Sequence, residues 1–75
     1  MSRLPVVTSR EMINALQRAS FVIDHQTGSH VVLRRSRDNT RVVVPSHNRD
    51  LGRGLTVAII RSAGLTREEF VDLLK

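Results

Sequence analysis

Apolar residues recur at helical spacing near the start of the chain. They share one helix face and are Met12, Ile13, Leu16 and Ala19. Just ahead of them, Thr8 and Glu11 match a capping box, with Thr8 at the N-cap and Glu11 at the third helical position. The pattern predicts a helix over about 9–19, preceded by an extended segment over 1–7 that contains Pro5.

Three short segments rich in β-branched and aromatic residues come next, which is typical of strands. They are Phe21-Val22-Ile23, Val31-Val32-Leu33 and Val42-Val43-Val44. Thr27-Gly28 marks the first turn, and Arg37-Asp38-Asn39-Thr40 marks the second with residues that tolerate left-handed backbone. Pro45 ends the third strand because it has no N–H to donate to a neighbouring strand.

The C-terminal part predicts a loop and then a helix. Residues 46–54 are polar and contain two glycines, which favours a loop. An apolar helical face then predicts a helix over 55–63; its members are Leu55, Ile59, Ile60 and Ala63. Gly64 suits the left-handed position that follows a helix.

A second capping box predicts one more short helix at the end of the chain. Thr66 and Glu69 form the box, and Leu65 and Phe70 are spaced as a hydrophobic staple. This last helix is expected over about 67–74, with its buried side chains being Phe70, Val71 and Leu74. Helices covering one face of a three-stranded antiparallel sheet make an α+β domain.

Length and composition indicate one small domain over residues 1–75. A chain of 75 residues without cysteine has no disulfide to stabilise it, so its core must be compact or a partner must contribute. The apolar fraction of 40% is enough for a folded domain. No apolar run approaches the roughly 20 residues that span a bilayer, and no signal-peptide segment follows Met1. A cytoplasmic protein without membrane contact is therefore expected.

The charge balance favours a polyanionic partner. Twelve basic residues oppose seven acidic ones, for a net charge of +5, and all basic residues except Lys75 are arginines. Guanidinium groups fit phosphate oxygens well, and neutralised phosphates release counterions. The alternative is that the arginines only keep a small surface soluble. The positions of the arginines in the fold distinguish these two interpretations.

A linear series of motifs then identifies a family. Gly28-Ser29-His30 opens an apolar strand, and Pro45-Ser46-His47 follows the third strand. The remaining parts of the series are Leu4-Pro5, the helix leading to Phe21, Gly54, Ile59-Ile60-Arg61-Ser62-Ala63-Gly64 and Glu69-Phe70. In this order and spacing, over nearly the whole chain, the sequence resembles the HicA family of toxin ribonucleases. The resemblance implies a fold like the double-stranded-RNA-binding domain, α-β-β-β-α, with a short extra C-terminal helix.

The resemblance also implies a function. Such a protein is the toxin of a toxin–antitoxin system, an endoribonuclease that cleaves mRNA with no metal and no cofactor. Its expected partners are RNA and a HicB-type antitoxin, with operator DNA bound only through the antitoxin complex.

Two positions depart from the family pattern. Ser20 stands where glycine is usual, and Gly54-Leu55-Thr56 stands where Gly-Thr-Leu is common.

Histidine is the natural candidate for acid–base chemistry on RNA near neutral pH. Of the three histidines, His30 follows a Gly-Ser turn at the mouth of a strand, which would present its side chain to a bulky polymer. By position alone, a solvated histidine without a role is the favoured interpretation of His30. The resemblance reverses this preference and implies that His30 is the catalytic general acid or base. A two-residue turn at Thr27-Gly28 would pair His25 with His30, whereas a longer loop would separate them.

Several residues around His30 are candidates for binding substrate. They are Gly28, Ser29, Arg34, Arg35, Arg41 and His47. Alternation along a strand places Arg34 on the face of His30 and Arg35 on the opposite face. The arginines near His30 would contact phosphate or stabilise the transition state; as a group, they are equally explained as a solvated face.

Other chemistries do not match the residues present. Zinc and two-metal sites need clustered ligands, whereas the histidines and carboxylates are scattered. Phe21 and Phe70 are expected in the core, which leaves no aromatic side chain for stacking on bases. Two alternatives remain. A non-catalytic double-stranded-RNA-binding module would use Arg49 and Arg53, and a protein-interaction subunit would leave the arginine excess unexplained.

Overall fold

In the described residues, three helices accompany a three-stranded antiparallel sheet in the order α-β-β-β-α with a further helix, which confirms the predicted α+β class. The computed structural model describes residues 4–47 and 49–75. Its helices are α1 (Ser9–Arg18), α2 (Arg53–Ser62) and α3 (Arg67–Leu73). Its strands are β1 (Val7–Thr8), β2 (Val22–Gln26), β3 (His30–Arg35), β4 (Thr40–Pro45) and β5 (Asp50–Leu51).

Both predicted capping boxes are confirmed. The Thr8 hydroxyl accepts from the backbone N–H of Glu11, whose carboxylate accepts from the backbone N–H of Thr8. Thr66 and Glu69 make the same reciprocal pair at the start of α3. These contacts satisfy backbone donors that have no partner inside a helix, and they explain why α1 and α3 begin where the sequence predicts.

The serine at position 20 adopts a strained backbone conformation just after the end of α1. The helix ends at Arg18, and Ser20 follows with φ of 76°. This is left-handed backbone, which a side chain with a Cβ adopts at a cost of about 1–2 kcal/mol. Gly64 occupies the equivalent place after α2 with φ of 74°, as predicted.

Replacing Ser20 by glycine is therefore expected to stabilise the protein. The gain should be about 0.5–1 kcal/mol in the free energy of unfolding, because relief of the left-handed strain exceeds the extra entropy of glycine in the unfolded chain. Denaturant titration measures this gain in the free energy of unfolding. Ser62→Gly, placed in helical backbone, is the matched control and should lower stability. A Ser20→Gly variant no more stable than the wild type would contradict this account.

The three-stranded sheet has the order β2-β3-β4. All three strands are longer than their apolar segments predict. Strand β2 continues to Gln26, and His25 and Gln26 pair with β3 despite being exposed. A register shift between Ile23 and His25 shows that β2 has an irregularity at Asp24. Backbone pairing, and not burial, extends these strands.

The predicted loop over 46–54 is wrong in part. Within it, Asp50–Leu51 forms β5 and pairs antiparallel with β1, where an extended lead-in was expected. Helix α2 begins at Arg53, two residues before the predicted start, with Gly52 as its N-cap. The short pairing of β1 with β5 depends on segments more than forty positions apart, so a local sequence pattern does not indicate it.

Helix α2 also differs from prediction in which residue faces the core. Leu55 was expected to be buried but is 38% exposed, whereas Thr56 is 1% exposed. The Thr56 hydroxyl donates to the backbone carbonyl of Gly52 at 3.0 Å, which satisfies its polar atom. The inverted order of leucine and threonine therefore leaves a leucine at the surface and a threonine in the interior.

The core lies between the helices and one face of the sheet. Its sheet side includes Val31 and Leu33, and Phe21 and Phe70 are buried in it as predicted. Val71 and Leu74 on the last helix are only partly buried. The opposite face of the sheet is not covered by any described helix, and we call it the open face. Within residues 4–47 and 49–75, no helix has the length and apolar character needed to cross a membrane.

Candidate functional site

The Gly-Ser-His segment forms the turn between β2 and β3, and His30 is the first residue of β3. The backbone N–H of Thr27 donates to the His30 carbonyl at 2.9 Å. In return, the backbone N–H of His30 donates to the Thr27 hydroxyl at 3.1 Å. The turn is thus centred on Gly28 and Ser29, one residue later than the Thr27-Gly28 alternative. His25 consequently lies opposite Val32 and not opposite His30.

Two contacts orient His30 at this turn. The Ser29 hydroxyl lies 3.0 Å from Nδ1 of His30, and the Ser29 carbonyl accepts from the backbone N–H of Ser46 at 2.8 Å. If Nδ1 of the neutral ring donates to the hydroxyl, Nε2 is free to act as a base. In the charged ring Nδ1 also donates to the hydroxyl, and Nε2 carries a proton that it can deliver as an acid. The His30 side chain is exposed in either case.

The segment after β4 lies beside this turn. His30 is paired with Pro45 across the sheet. The buried Ser9 hydroxyl donates to the Pro45 carbonyl and accepts from the backbone N–H of His47 at 3.5 Å. Helix α1 therefore holds the segment that carries His47, and the structure brings His30 and His47 to the same end of the sheet.

Gly28 has open space beside it. A Cβ built at this position would meet no heavy atom within 4 Å, and its backbone is not left-handed. Folding therefore does not require glycine at position 28. The lack of a side chain leaves room for a ligand to approach the backbone next to His30.

The predicted alternation along β3 is confirmed. Arg34 is exposed on the open face, the face of His30, whereas Arg35 is buried on the core face. Arg34 lies directly opposite Arg41 of β4. His30 and Arg34 are separated by four positions of extended chain, roughly 13 Å at about 3.3 Å per residue. The structure therefore does not bring Arg34 to the same point as His30.

The Arg35 side chain is buried and bonded within the fold. Its guanidinium donates to both carboxylate oxygens of Asp38, at 3.1 and 2.8 Å, and to the carbonyl of Ala63 at 3.1 Å. It also lies 4.6 Å from the centre of the Phe21 ring. The Arg35 side chain is only 9% exposed. Its donors already join the sheet to the end of α2, so we do not place Arg35 among the residues proposed to bind substrate.

Asp24 and Asn39 border a cavity at the open face but were not singled out in the sequence. A surface cavity of about 370 Å³ is lined by Asp24, His25, Arg34, Asn39 and Arg41. Nδ1 of His25 lies 2.7 Å from a carboxylate oxygen of Asp24. This hydrogen bond lowers the pKa of Asp24, and the positive charges of the two arginines lower it further. The apolar pattern ends at Ile23, so the sequence did not indicate that β2 continues past it.

The open face does not gather a set of metal ligands. Among the residues that the structure describes, no three His, Asp or Glu side chains are grouped closely enough to hold an ion. The groups available for chemistry on this face are imidazoles, guanidiniums, hydroxyls and the carboxylate of Asp24.

Fold and site together define a small basic α+β domain with one open sheet face that carries histidines and arginines. The family model described as "HicA toxin of bacterial toxin-antitoxin" matches residues 9–65, more than half of the chain. The chain therefore belongs to the HicA toxin family, which makes it the toxin of a toxin–antitoxin system with a cognate antitoxin as its partner. Among curated proteins, no sequence gives a significant match.

Proposed function

We propose that this toxin is a metal-independent endoribonuclease that cleaves mRNA, with His30 as its general acid or base. The observation that carries the proposal is the placement of His30. Its exposed imidazole stands at the end of the open face, in a turn held by Thr27 and Ser46. A rigid support with an exposed functional group suits catalysis on a polymer.

The chemistry needs only the RNA and acid–base groups. The 2′-hydroxyl oxygen attacks the adjacent phosphorus, and the bond from phosphorus to the 5′ oxygen breaks. His30 either takes the proton of the 2′-hydroxyl or delivers a proton to the departing 5′ oxygen. The products are a 2′,3′-cyclic phosphate and a 5′-hydroxyl. Such a group contributes roughly 10²–10⁴-fold to the rate.

The other residues of this end of the sheet are proposed to position the RNA. Gly28 leaves space for the strand to approach, and Ser29 orients the imidazole. His47 is the proposed substrate contact nearest to His30, because its segment lies beside the turn. We further propose that the antitoxin is of the HicB type, covers the open face with acidic residues, and provides the contact with operator DNA.

The direct test is incubation of the purified toxin with RNA in excess EDTA, followed by analysis of the product ends. We expect cleavage that leaves 2′,3′-cyclic phosphates. Binding of RNA without cleavage would identify a non-catalytic RNA-binding module, for which Arg53 at the start of α2 is in place. Neither binding nor cleavage would indicate that the toxin acts through protein contacts alone.

Ser29→Ala should lower the cleavage rate constant by roughly 2- to 10-fold, because it removes one hydrogen bond that orients the ring. Ser29→Thr keeps a hydroxyl and is the control expected to restore most of the rate. An unchanged rate constant in Ser29→Ala would contradict the orienting role.

A further inference from the structure

Two arginines face each other across the open face, far from His30. Arg34 and Arg41 are direct partners in the register of β3 and β4, and both are exposed. Like charges directly opposite each other in a sheet are destabilising. Within the described part of the chain, neither guanidinium forms an ion pair with a carboxylate. The repulsion within the pair is therefore not compensated by a salt bridge, and is offset only in part by the nearby Asp24 carboxylate, whose pKa both arginines lower.

The Arg34 guanidinium is also held in a defined place. One of its nitrogens donates to the side-chain carbonyl of Asn39 at 2.7 Å. Asn39 belongs to the turn between β3 and β4 and has left-handed backbone, with φ of 56°. This contact directs Arg34 toward that turn, which is at the opposite end of β3 from His30. The two arginines then border the cavity of about 370 Å³.

We propose that Arg34 and Arg41 form a second phosphate-binding site, which holds a phosphate of the RNA strand other than the one that is cleaved. The identity of the ligand as RNA rests on the proposed function. The roughly 13 Å between His30 and Arg34 along the strand is too long for one phosphate group to touch both. Paired guanidiniums match phosphate in charge and in the geometry of their donors.

Asp24 limits how strongly this site binds an anion. Its carboxylate borders the same cavity and is hydrogen-bonded to His25. Its negative charge repels a phosphate there, because like charges interact unfavourably at short range. Asp24→Asn removes that charge and leaves a side chain of the same shape, so it should strengthen binding.

The experiment measures binding of 2′-O-methyl oligonucleotides, which lack the attacking hydroxyl and are bound without being cleaved. A ladder from dinucleotide to hexanucleotide is used, because a dinucleotide carries only one internucleotide phosphate. For the wild type we expect affinity to rise in a step once the strand is long enough to reach the arginines. In the Arg34→Gln/Arg41→Gln variant that step should be lost, a decrease of roughly 10- to 100-fold on the hexanucleotide.

The dinucleotide provides the internal control, since its affinity should be the same for the wild type and the double variant. The salt dependence of hexanucleotide binding should also weaken. The slope of log K against log salt should fall by about 0.7 for each phosphate of a single strand that the variant no longer neutralises. Arg10→Gln/Arg61→Gln removes the same charge from exposed positions on the helices and should keep the step. Circular dichroism confirms that each variant is folded.

Three results would overturn the proposal. An equal loss on the dinucleotide would place the arginines at the cleaved phosphate. An equal loss in the control variant would mean that only net charge matters. Weaker hexanucleotide binding by Asp24→Asn would show that the carboxylate supports the ligand and does not repel it.

Failure of the two proposals can be told apart. If the toxin binds the ladder in a step that depends on the arginines but leaves mRNA intact, the cleavage proposal is wrong and the phosphate site stands. If the toxin cleaves mRNA but binds without a step, the phosphate site is wrong and the cleavage proposal stands. A toxin that neither binds nor cleaves overturns both.

Discussion

Replacing His30 by alanine is expected to lower RNA cleavage by roughly 10²–10⁴-fold, the range for loss of a general acid or base. The fold should be retained, because the side chain is exposed and its hydrogen bond is to the neighbouring Ser29. Exposed substitutions of this kind change stability by less than about 0.5 kcal/mol. Single-turnover cleavage of a labelled RNA in EDTA measures the rate.

The His30→Ala result is interpretable only beside two controls. Asn14→Ala changes an exposed residue of α1 and should cleave at the wild-type rate. Binding of a 2′-O-methyl hexanucleotide by His30→Ala should stay close to that of the wild type, which would show that the loss lies in the chemical step. If His30→Ala cleaved RNA at the wild-type rate, His30 would not be the catalytic group.

Replacing Arg35 by alanine is expected to have the largest effect on stability. The guanidinium is buried against Phe21 and donates to the carbonyl of Ala63 at the end of α2. Its removal leaves that buried carbonyl without a donor and opens a space in the core. We expect a loss of about 2–4 kcal/mol, a large share of the roughly 4–11 kcal/mol typical for a domain of this length.

Denaturant titration of Arg35→Ala, Arg35→Lys and Arg37→Ala tests this assignment. Lysine keeps the charge but lacks the planar fork that reaches Asp38 and Ala63 together, so Arg35→Lys should also be destabilised. Arg37 is exposed in the turn that contains Asp38, so Arg37→Ala should change the free energy of unfolding little. Equal stability of all three variants would show that Arg35 is not a structural residue.

The contact of Arg35 with Asp38 also predicts a dependence on pH. The hydrogen bond from Arg35 lowers the pKa of Asp38 from 3.8 to about 2. A carboxyl with a lowered pKa in the folded state stabilises the protein above its unfolded pKa, and that contribution is lost as the pH falls. The wild type should therefore lose this stabilisation between about pH 4 and pH 2. The loss should be smaller in Arg35→Ala, where only the contact from Thr40 still lowers the pKa of Asp38.

Local signals predicted most of the fold correctly. Helices α1 and α3 begin at their capping boxes, and the three strands of the sheet contain the three apolar segments, except that Phe21 lies just before β2. The start of α2 was predicted two residues late, and the pairing of β1 with β5 was not predicted. The start of α2 lies in a polar segment, and β1 and β5 are stabilised by each other and not by their own residues. Neither feature leaves a periodic pattern in the chain.

The sequence by itself determined the order of the elements, the buried aromatic residues and the opposite orientations of Arg34 and Arg35. These depend on capping, on helical spacing and on alternation, which act between residues a few positions apart. Only the tertiary structure decided that Ser46 lies against Ser29 beside His30, that Arg35 donates to Ala63, and that Asp24 borders the cavity of the two arginines. Such contacts depend on the register of the strands and on the packing of the helices, and both are set by the whole chain together.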